Sequence, residues 1–389
     1  MKQKKTTKSA NTSRSQVVRE EVNFFPVSDF FAGSGLVTEG LSDYFSVVWA
    51  NDICERKAKV YQANHGQAHF LTAPIQQVRG SDLPETVMSW ASFPCQDLSL
   101  AGNMVGIKSA RSGLVWEWLR VLDECDTLPP VLVAENVVGL ISAHGGKNYL
   151  QLHNALRQRG YSVGAVVLDA VDWVPQSRPR VFVIAFSTQF EIPARLQSFK
   201  PLWCHTDAIK KVAEKCQDWV WWNLPKPYPR RKGLSDILEW DAPVDPPDKR
   251  DNLFAMIPPS HRKELFSVSK PGVSVFPGYR RTRNGKQVLE LRFDNVAGCL
   301  RTPEGGSSRQ IVVIHDKNGM LNTRLLTVRE TARLMGAPDS YQLPGSYNDG
   351  YKAMGDAVAV PVVKWLAHHL LNPLCNIASK KELYCVQVQ

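Results

Sequence analysis

The 389-residue chain has no CxxC pair among its eight cysteines, and no grouping of cysteine with histidine at zinc-ligand spacing. That argues against a structural zinc site or a disulfide framework, and it leaves reduced thiols that are free to react. The first twenty residues, MKQKKTTKSANTSRSQVVRE, are polar and basic and lack the apolar centre of a secretory signal. No later apolar run reaches membrane-spanning length, so a soluble, cytoplasmic protein without membrane contact is expected. A GxGxxG dinucleotide fingerprint is missing as well: Leu36 and Thr38 follow Gly33 and Gly35, and the next glycine is Gly40. There are no internal repeats.

The net charge of +10 is unevenly placed. Residues 1–20 hold 6 Lys/Arg against 1 Asp/Glu, and residues 195–323 hold 22 against 14. A phosphate-binding surface would be distributed in this way, and so would a solvated charged face. From residue 22 to about 187, short apolar runs (FFPVSDFF, FSVVWAND, VMSWASF, PVLVAENV, YSVGAVVLD, RVFVIAF) alternate with helix-like stretches. In one of these, Leu114, Val115, Trp118, Leu119 and Leu122 recur at helical spacing. Continuous apolar strands separated by amphipathic helices predict a doubly wound α/β domain, its mostly parallel sheet covered on both faces.

The length exceeds what one compact core usually holds, and the pattern changes near Phe190. Eleven of the 25 prolines fall between Pro201 and Pro277. The expected organisation is a disordered basic tail over 1–21, a catalytic and cofactor-binding domain over 22–190 and a smaller irregular domain over 191–323. A helical return segment over 324–372, packed on the first domain, and a C-terminal tail over 373–389 complete it.

Chemistry-bearing residues gather at predicted strand ends. DFFAGSGLVTEG puts Gly33 and Gly35 at a turn before a helix, where backbone N–H groups can meet a ligand, although a purely structural turn would look alike. Asp52, about twenty residues on, closes the next strand, where a carboxylate can accept from ribose hydroxyls. A nucleoside cofactor such as S-adenosylmethionine suits this spacing better than NAD. Cys95 follows Pro94 at another strand end, Glu135 closes PVLVAENV, and Arg178 and Arg180 open RVFVIAF. In open parallel sheets the ligand crevice lies at the carboxyl ends of strands, so Gly33, Asp52, Cys95 and Glu135 would converge there. Burial after VLVA would favour the protonated form of Glu135, while a helix cap or an ion pair is its structural alternative.

Together these residues resemble the DNA (cytosine-5) methyltransferase family, whose ordered motifs stand here as DFFAGSG, FPCQDLS, ENV, QSRPR, RLLTVRETARLMGAPDSY and GDAVAVPVV, between residues 29 and 363. The resemblance implies an S-adenosylmethionine-dependent, Rossmann-like fold with a target-recognition domain. It makes Cys95 the nucleophile toward carbon 6 of a cytosine, Glu135 the group holding a proton at N3, and Arg180, helped by Arg178, the stabiliser of charge at O2. It places Phe31, Gly33, Ser34 and Gly35 at the methionine and adenosine end of the cofactor, Asp52 at the ribose and Ile53 at the adenine face. Pro94 and Leu114 form the far wall, and Asp356, Ala357 and Val358 lie near the methionine tail. The loop from Gln96 to Gly113 would close over DNA, with Gln96 in contact. Arg230, Arg231, Lys232, Arg280, Arg281 and Arg283 become the candidates for phosphate or base contact.

The implied substrate is duplex DNA with its target base flipped out, and the implied setting is a restriction-modification or solitary modification enzyme of bacterial or phage type. Such an enzyme would act as a monomer at the nucleoid, with a cognate restriction endonuclease as its partner in function but not in a stable complex. Three positions depart from the family pattern: Leu36 replaces a frequent glycine, Thr72–Ile75 carries no acidic residue, and Asp356 stands where asparagine is usual. A tRNA-methylating member of the same family is the alternative, but its Cys-Phe-Thr signature is absent. An inactive DNA-binding homologue would not need the intact Cys95, Glu135 and Arg180. An NAD oxidoreductase would leave Cys95 without a role.

Overall fold

The apolar runs become strands because β-branched and aromatic side chains suit a pleated surface packed on both faces. The structure, a computed structural model, describes residues 24–94, 113–301 and 309–386. Strands β1 (Phe25–Phe30), β2 (Phe45–Asp52), β3 (Phe70–Thr72), β4 (Met88–Ser92), β5 (Val131–Val137), β6 (Tyr161–Asp169) and β7 (Pro179–Ser187) form one sheet in the order β3-β2-β1-β4-β5-β7-β6. Pairing is parallel from β3 through β5, whereas β7 runs antiparallel to both β5 and β6. The reversal matters for function, because it brings the start of β7 level with the carboxyl ends of its neighbours: Arg180 pairs with Val137 and with Leu168.

Side-chain alternation along β5 divides the sheet between two cores. Val131 and Val133 meet the face covered by α1 (Leu36–Leu41) and α2 (Glu55–His65), while Leu132 and Ala134 meet α3 (Leu114–Asp123) and α5 (Lys147–Gln158). A short α4 (Gly139–Ser142) follows β5.

The expected boundary at 190/191 moves along the chain. Strand β9 (Trp221–Trp222) packs on β6 and pairs with β8 (Gln197–Ser198), and helix α6 (Asp207–Ala213) packs on α4, so these elements join the large sheet and its helices instead of forming a second domain. Val220 N donates to Val163 O at 3.0 Å, and Trp222 Nε1 donates to Ile184 O at 3.3 Å. Gly164 allows this approach, since a Cβ there would lie 2.0 Å from Val220 O. Trp222, Leu224, Leu234, Ile237 and Leu238 all join the first core.

A separate small core begins only after them. Helices α7 (Pro247–Ala255) and α8 (Pro259–Val268) cover an antiparallel sheet of β10 (Val275–Arg283), β11 (Lys286–Leu291), β12 (Ile311–His315) and β13 (Leu321–Leu325), ordered β11-β10-β12-β13. Phe276, Leu289, Leu291, Ile311 and Val313 face Leu253, Ile257 and Leu265, whereas Val275, Val312 and Ile314 face the main core. The region expected to be irregular therefore holds a regular sheet, and β13 crosses the expected boundary at 323. Two of its prolines, Pro247 and Pro259, occupy first-turn helix positions, where the missing N–H is harmless.

The return segment forms α9 (Val328–Leu334), α10 (Tyr347–Asp356) and α11 (Val360–Leu366), which lead into α12 (Asn372–Val386). Residues 373–386, expected as a tail, are helical, and Leu374, Cys375 and Ala378 are buried. Helix α11 packs on α1, and α10 packs on α2. No described helix is long and apolar enough to cross a membrane. The tail expected over 1–21 lies outside the described residues, as do Cys95, Gln96 and most of the loop to Gly113.

Candidate active site

At the carboxyl ends of β1, β2, β4 and β5 the chain leaves a cavity of about 490 Å³. Its first wall is the turn after β1, where the backbone is left-handed at Phe31 (φ 58°) and at Gly33 (φ 56°). A phenylalanine held there stores local strain, as sites that present backbone to a ligand commonly do. The Gly33 N–H donates to Asp52 Oδ2 at 2.9 Å, and the Cys54 N–H donates to Asp52 Oδ1 at 2.8 Å. The carboxylate is thereby fixed at the end of β2, with lone pairs left on both oxygens. Ser34 Oγ donates to Ala353 O at 3.0 Å and ties the turn to α10.

The opposite wall carries Glu135 and Arg180, joined in the ion pair that was the structural alternative for Glu135. Glu135 and Arg180 meet across the β5–β7 pairing, with Arg180 Nε 3.2 Å from Glu135 Oε1. Glu135 is 7% exposed and Arg180 14%. Burial pushes the Glu135 carboxyl above its ordinary range, against the opposing pull of Arg180, Arg178 and a Ser92 hydrogen bond. Next to Glu135, Asn136 Nδ2 donates to Phe93 O at 2.8 Å. Asn136 thus holds the backbone that leads through Pro94 toward residue 95.

The sequence model of the C-5 cytosine-specific DNA methylases matches residues 25–372. The chain belongs to that family. It is a methyltransferase acting on carbon 5 of cytosine in DNA. The methylase is 26% identical over 362 residues to the Type II methyltransferase M.HaeII of Haemophilus aegyptius, covering 92% of this chain and 96% of that one. It is 26% identical over 354 residues to M.HhaI of Haemophilus parahaemolyticus, covering 89% and 94%. Among solved structures, its fold is similar to that of the S. pombe Dnmt2 methyltransferase, with a TM-score of 0.58 and 21% identity over 90% of this chain and 99% of that one. A putative DNA modification methyltransferase encoded within an E. coli prophage gives 0.55 and 18%, covering 90% and 99%.

In this methylase Phe31, Gly33, Ser34, Asp52, Ile53, Pro94, Leu114, Asp356, Ala357, Glu135 and Arg180 all line the one cavity. Gly35 does not. Its φ of 84° and its contact with α2, where a Cβ would lie 2.6 Å from the His65 ring, make it a packing residue. Arg178 does not line the cavity either. It is 1% exposed, and its guanidinium donates to Leu300 O, Gly355 O and Ala357 O at 2.7–2.9 Å. Those bonds tie the cavity's Gly355–Ala357 wall to Leu300, which precedes β12 in the chain. Burial lowers the Arg178 pKa to about 10, with Arg180 adding to the shift, so the group stays charged at neutral pH.

Sequence reasoning missed Lys57, Asn51, Gln76 and Ser92, which also line the cavity. Asn51 Nδ2 donates to Leu71 O at 3.0 Å and to Ala73 O at 2.8 Å, fixing the Ala73–Ile75 wall that lacks an acidic residue. An asparagine next to Asp52 at a strand end was the available signal.

The expected nucleic-acid contacts lie apart from the cavity. Arg230 donates to Lys232 O and to Asn295 O, beside exposed Arg231 and Lys232. On β10, Arg280 stands next to Arg281, whose guanidinium lies 4.9 Å from the Tyr279 ring centre. Arg283 pairs with Glu290 Oε1 at 2.6 Å across the hairpin, so its charge is already matched.

Proposed function

We propose that this methylase modifies a cytosine flipped out of a specific duplex DNA sequence, by way of a covalent bond from Cys95. The observation that carries the reading is the convergence of Glu135, Arg180 and Pro94 on the cavity that also holds the glycine turn and Asp52. Cys95 follows Pro94 directly in the chain.

The cavity fits S-adenosylmethionine in size and in the chemistry of its lining. Its volume lies in the range of small-molecule sites. Asp52 supplies a carboxylate for ribose hydroxyls, and Ile53, Ile75, Pro94 and Leu114 supply apolar surface for a purine. Ser34, Lys57 and Asp356 supply polar groups for an amino-acid end. When bound, the cofactor supplies the electrophilic methyl group.

The protein's part begins with the Cys95 thiolate, whose sulfur bonds to carbon 6 of the cytosine while the electrons of the 5,6 double bond move into the ring. Glu135 holds a proton at N3, so negative charge does not accumulate on the ring nitrogen. Arg180 offers donors toward O2. Carbon 5, made nucleophilic, accepts the methyl group; loss of its proton to solvent then restores the 5,6 double bond as the carbon 6–sulfur bond breaks and the Cys95 thiolate leaves. Arg230, Arg231, Lys232, Arg280 and Arg281 would hold phosphates or base edges, and Arg283, held by Glu290, would do so less strongly. The restriction-modification setting and action as a monomer at the nucleoid belong to the same reading.

Methyl-labelled S-adenosylmethionine offered with duplex DNA and, separately, with bulk tRNA tests the substrate. Label is expected in 5-methylcytosine of DNA at one sequence context, read out by bisulfite sequencing. Label in tRNA with none in DNA would contradict the duplex reading.

A further inference from the structure

Two charged residues on the cavity wall, offered above only as polar groups for an amino-acid end, take no part in the bond changes at the base. Lys57 sits in α2 and Asp356 closes α10, elements almost three hundred residues apart in the chain, yet Lys57 Nζ lies 2.6 Å from Asp356 Oδ2. Lys57 is 21% exposed and Asp356 40%, and both line the cavity, so the pair remains open to a ligand. The aliphatic part of Lys57 runs beside the glycine turn: a Cβ at Gly33 would lie 3.9 Å from both Lys57 Cδ and Asp52 Oδ2. Burial disfavours the Lys57 charge, but Asp356 and Asp52 outweigh it and hold the ammonium protonated.

An open pair of opposite charges is the complement of a zwitterion. An α-amino acid presents an ammonium and a carboxylate on one carbon, and each can bond to the opposite member of the pair. We infer that Lys57 and Asp356 together read the amino-acid end of the cofactor, Lys57 taking its carboxylate and Asp356 its ammonium. Lys57 is then a specificity-determining residue, and it supplies the countercharge that lets Asp356 stand where the family usually has asparagine. The inference rests on the assignment of this cavity to S-adenosylmethionine.

Equilibrium binding of two nucleosides to the full chain tests it, without any turnover. S-adenosylhomocysteine carries the amino-acid end, and 5′-methylthioadenosine lacks it. Lys57→Met is expected to weaken S-adenosylhomocysteine by about 10- to 100-fold while changing methylthioadenosine by less than about twofold, which also shows that the variant is folded. Lys57→Arg should keep most of the affinity. The double variant Lys57→Met with Asp356→Asn should lose less than the two single losses combined, because each single change strands a charge. Equal weakening of both nucleosides, or of neither, would overturn the inference while leaving the cofactor site in place. An unsubstituted protein that binds neither compound would overturn the cofactor assignment and the inference with it.

Discussion

Glu135 lies between burial, which favours its neutral form, and Arg180, which favours its charge, and burial prevails. In the proposed reaction the neutral form is the useful one. As pH rises through the elevated pKa the proton for N3 is lost, so the rate of cytosine addition should fall on the alkaline side. Glu135→Gln removes the transferable proton; its single-turnover rate is expected to drop by roughly 10²- to 10⁴-fold, and that alkaline limb should vanish. An unchanged pH profile in the variant would assign the limb to another group. Glu135 was legible because VLVA precedes it at a strand end, a position that is both buried and at the crevice. Arg178, expected beside Arg180, is absent from the cavity lining for an equally local reason. It stands two residues from Arg180 but before Pro179, where β7 begins, so strand alternation does not place the two side chains on one face. Lys57 gave no signal, since its partner comes from α10 and only the folded chain brings them together.

Among the elements, α9 shows how a motif can serve the fold. Thr327 and Glu330 form a reciprocal cap, and Glu330, fully buried, also pairs with Arg324 at 2.5 Å and accepts from the Glu239 N–H at 2.7 Å. One carboxylate thus closes the helix, neutralises a 4%-exposed arginine and anchors the segment before the small domain. Glu330→Ala strands Arg324 and is expected to cost about 3–5 kcal/mol in urea unfolding. A loss below about 1 kcal/mol would mean that Arg324 finds water or another acceptor. The six long strands of the main sheet were legible because each is a buried apolar run bounded by polar turns. The direction of β7 was not, since an apolar run reads the same in either sense. The small sheet was missed because KQVLEL and LNTRL alternate polar with apolar residues, and dense prolines surround them.

At the scale of the molecule, the cavity is closed by residues from both ends of the described chain. Ser34 bonds to Ala353, Lys57 to Asp356, and Arg178 joins Leu300 to Gly355 and Ala357. The return segment thus completes the site that β1 and β2 begin, and the small domain with its arginine-bearing β10 lies between them in sequence. In the proposed reaction this arrangement would give the excess positive charge of the middle region a use, because a base drawn into the cavity would come from a strand held outside it. The most direct test is covalent trapping. Duplex DNA carrying 5-fluorocytosine, incubated with the methylase and S-adenosylmethionine, should yield a protein–DNA adduct that survives denaturing electrophoresis, because fluorine at carbon 5 prevents the release step. The adduct is expected with the unsubstituted chain and absent with Cys95→Ser; an adduct that persists in Cys95→Ser would contradict the account.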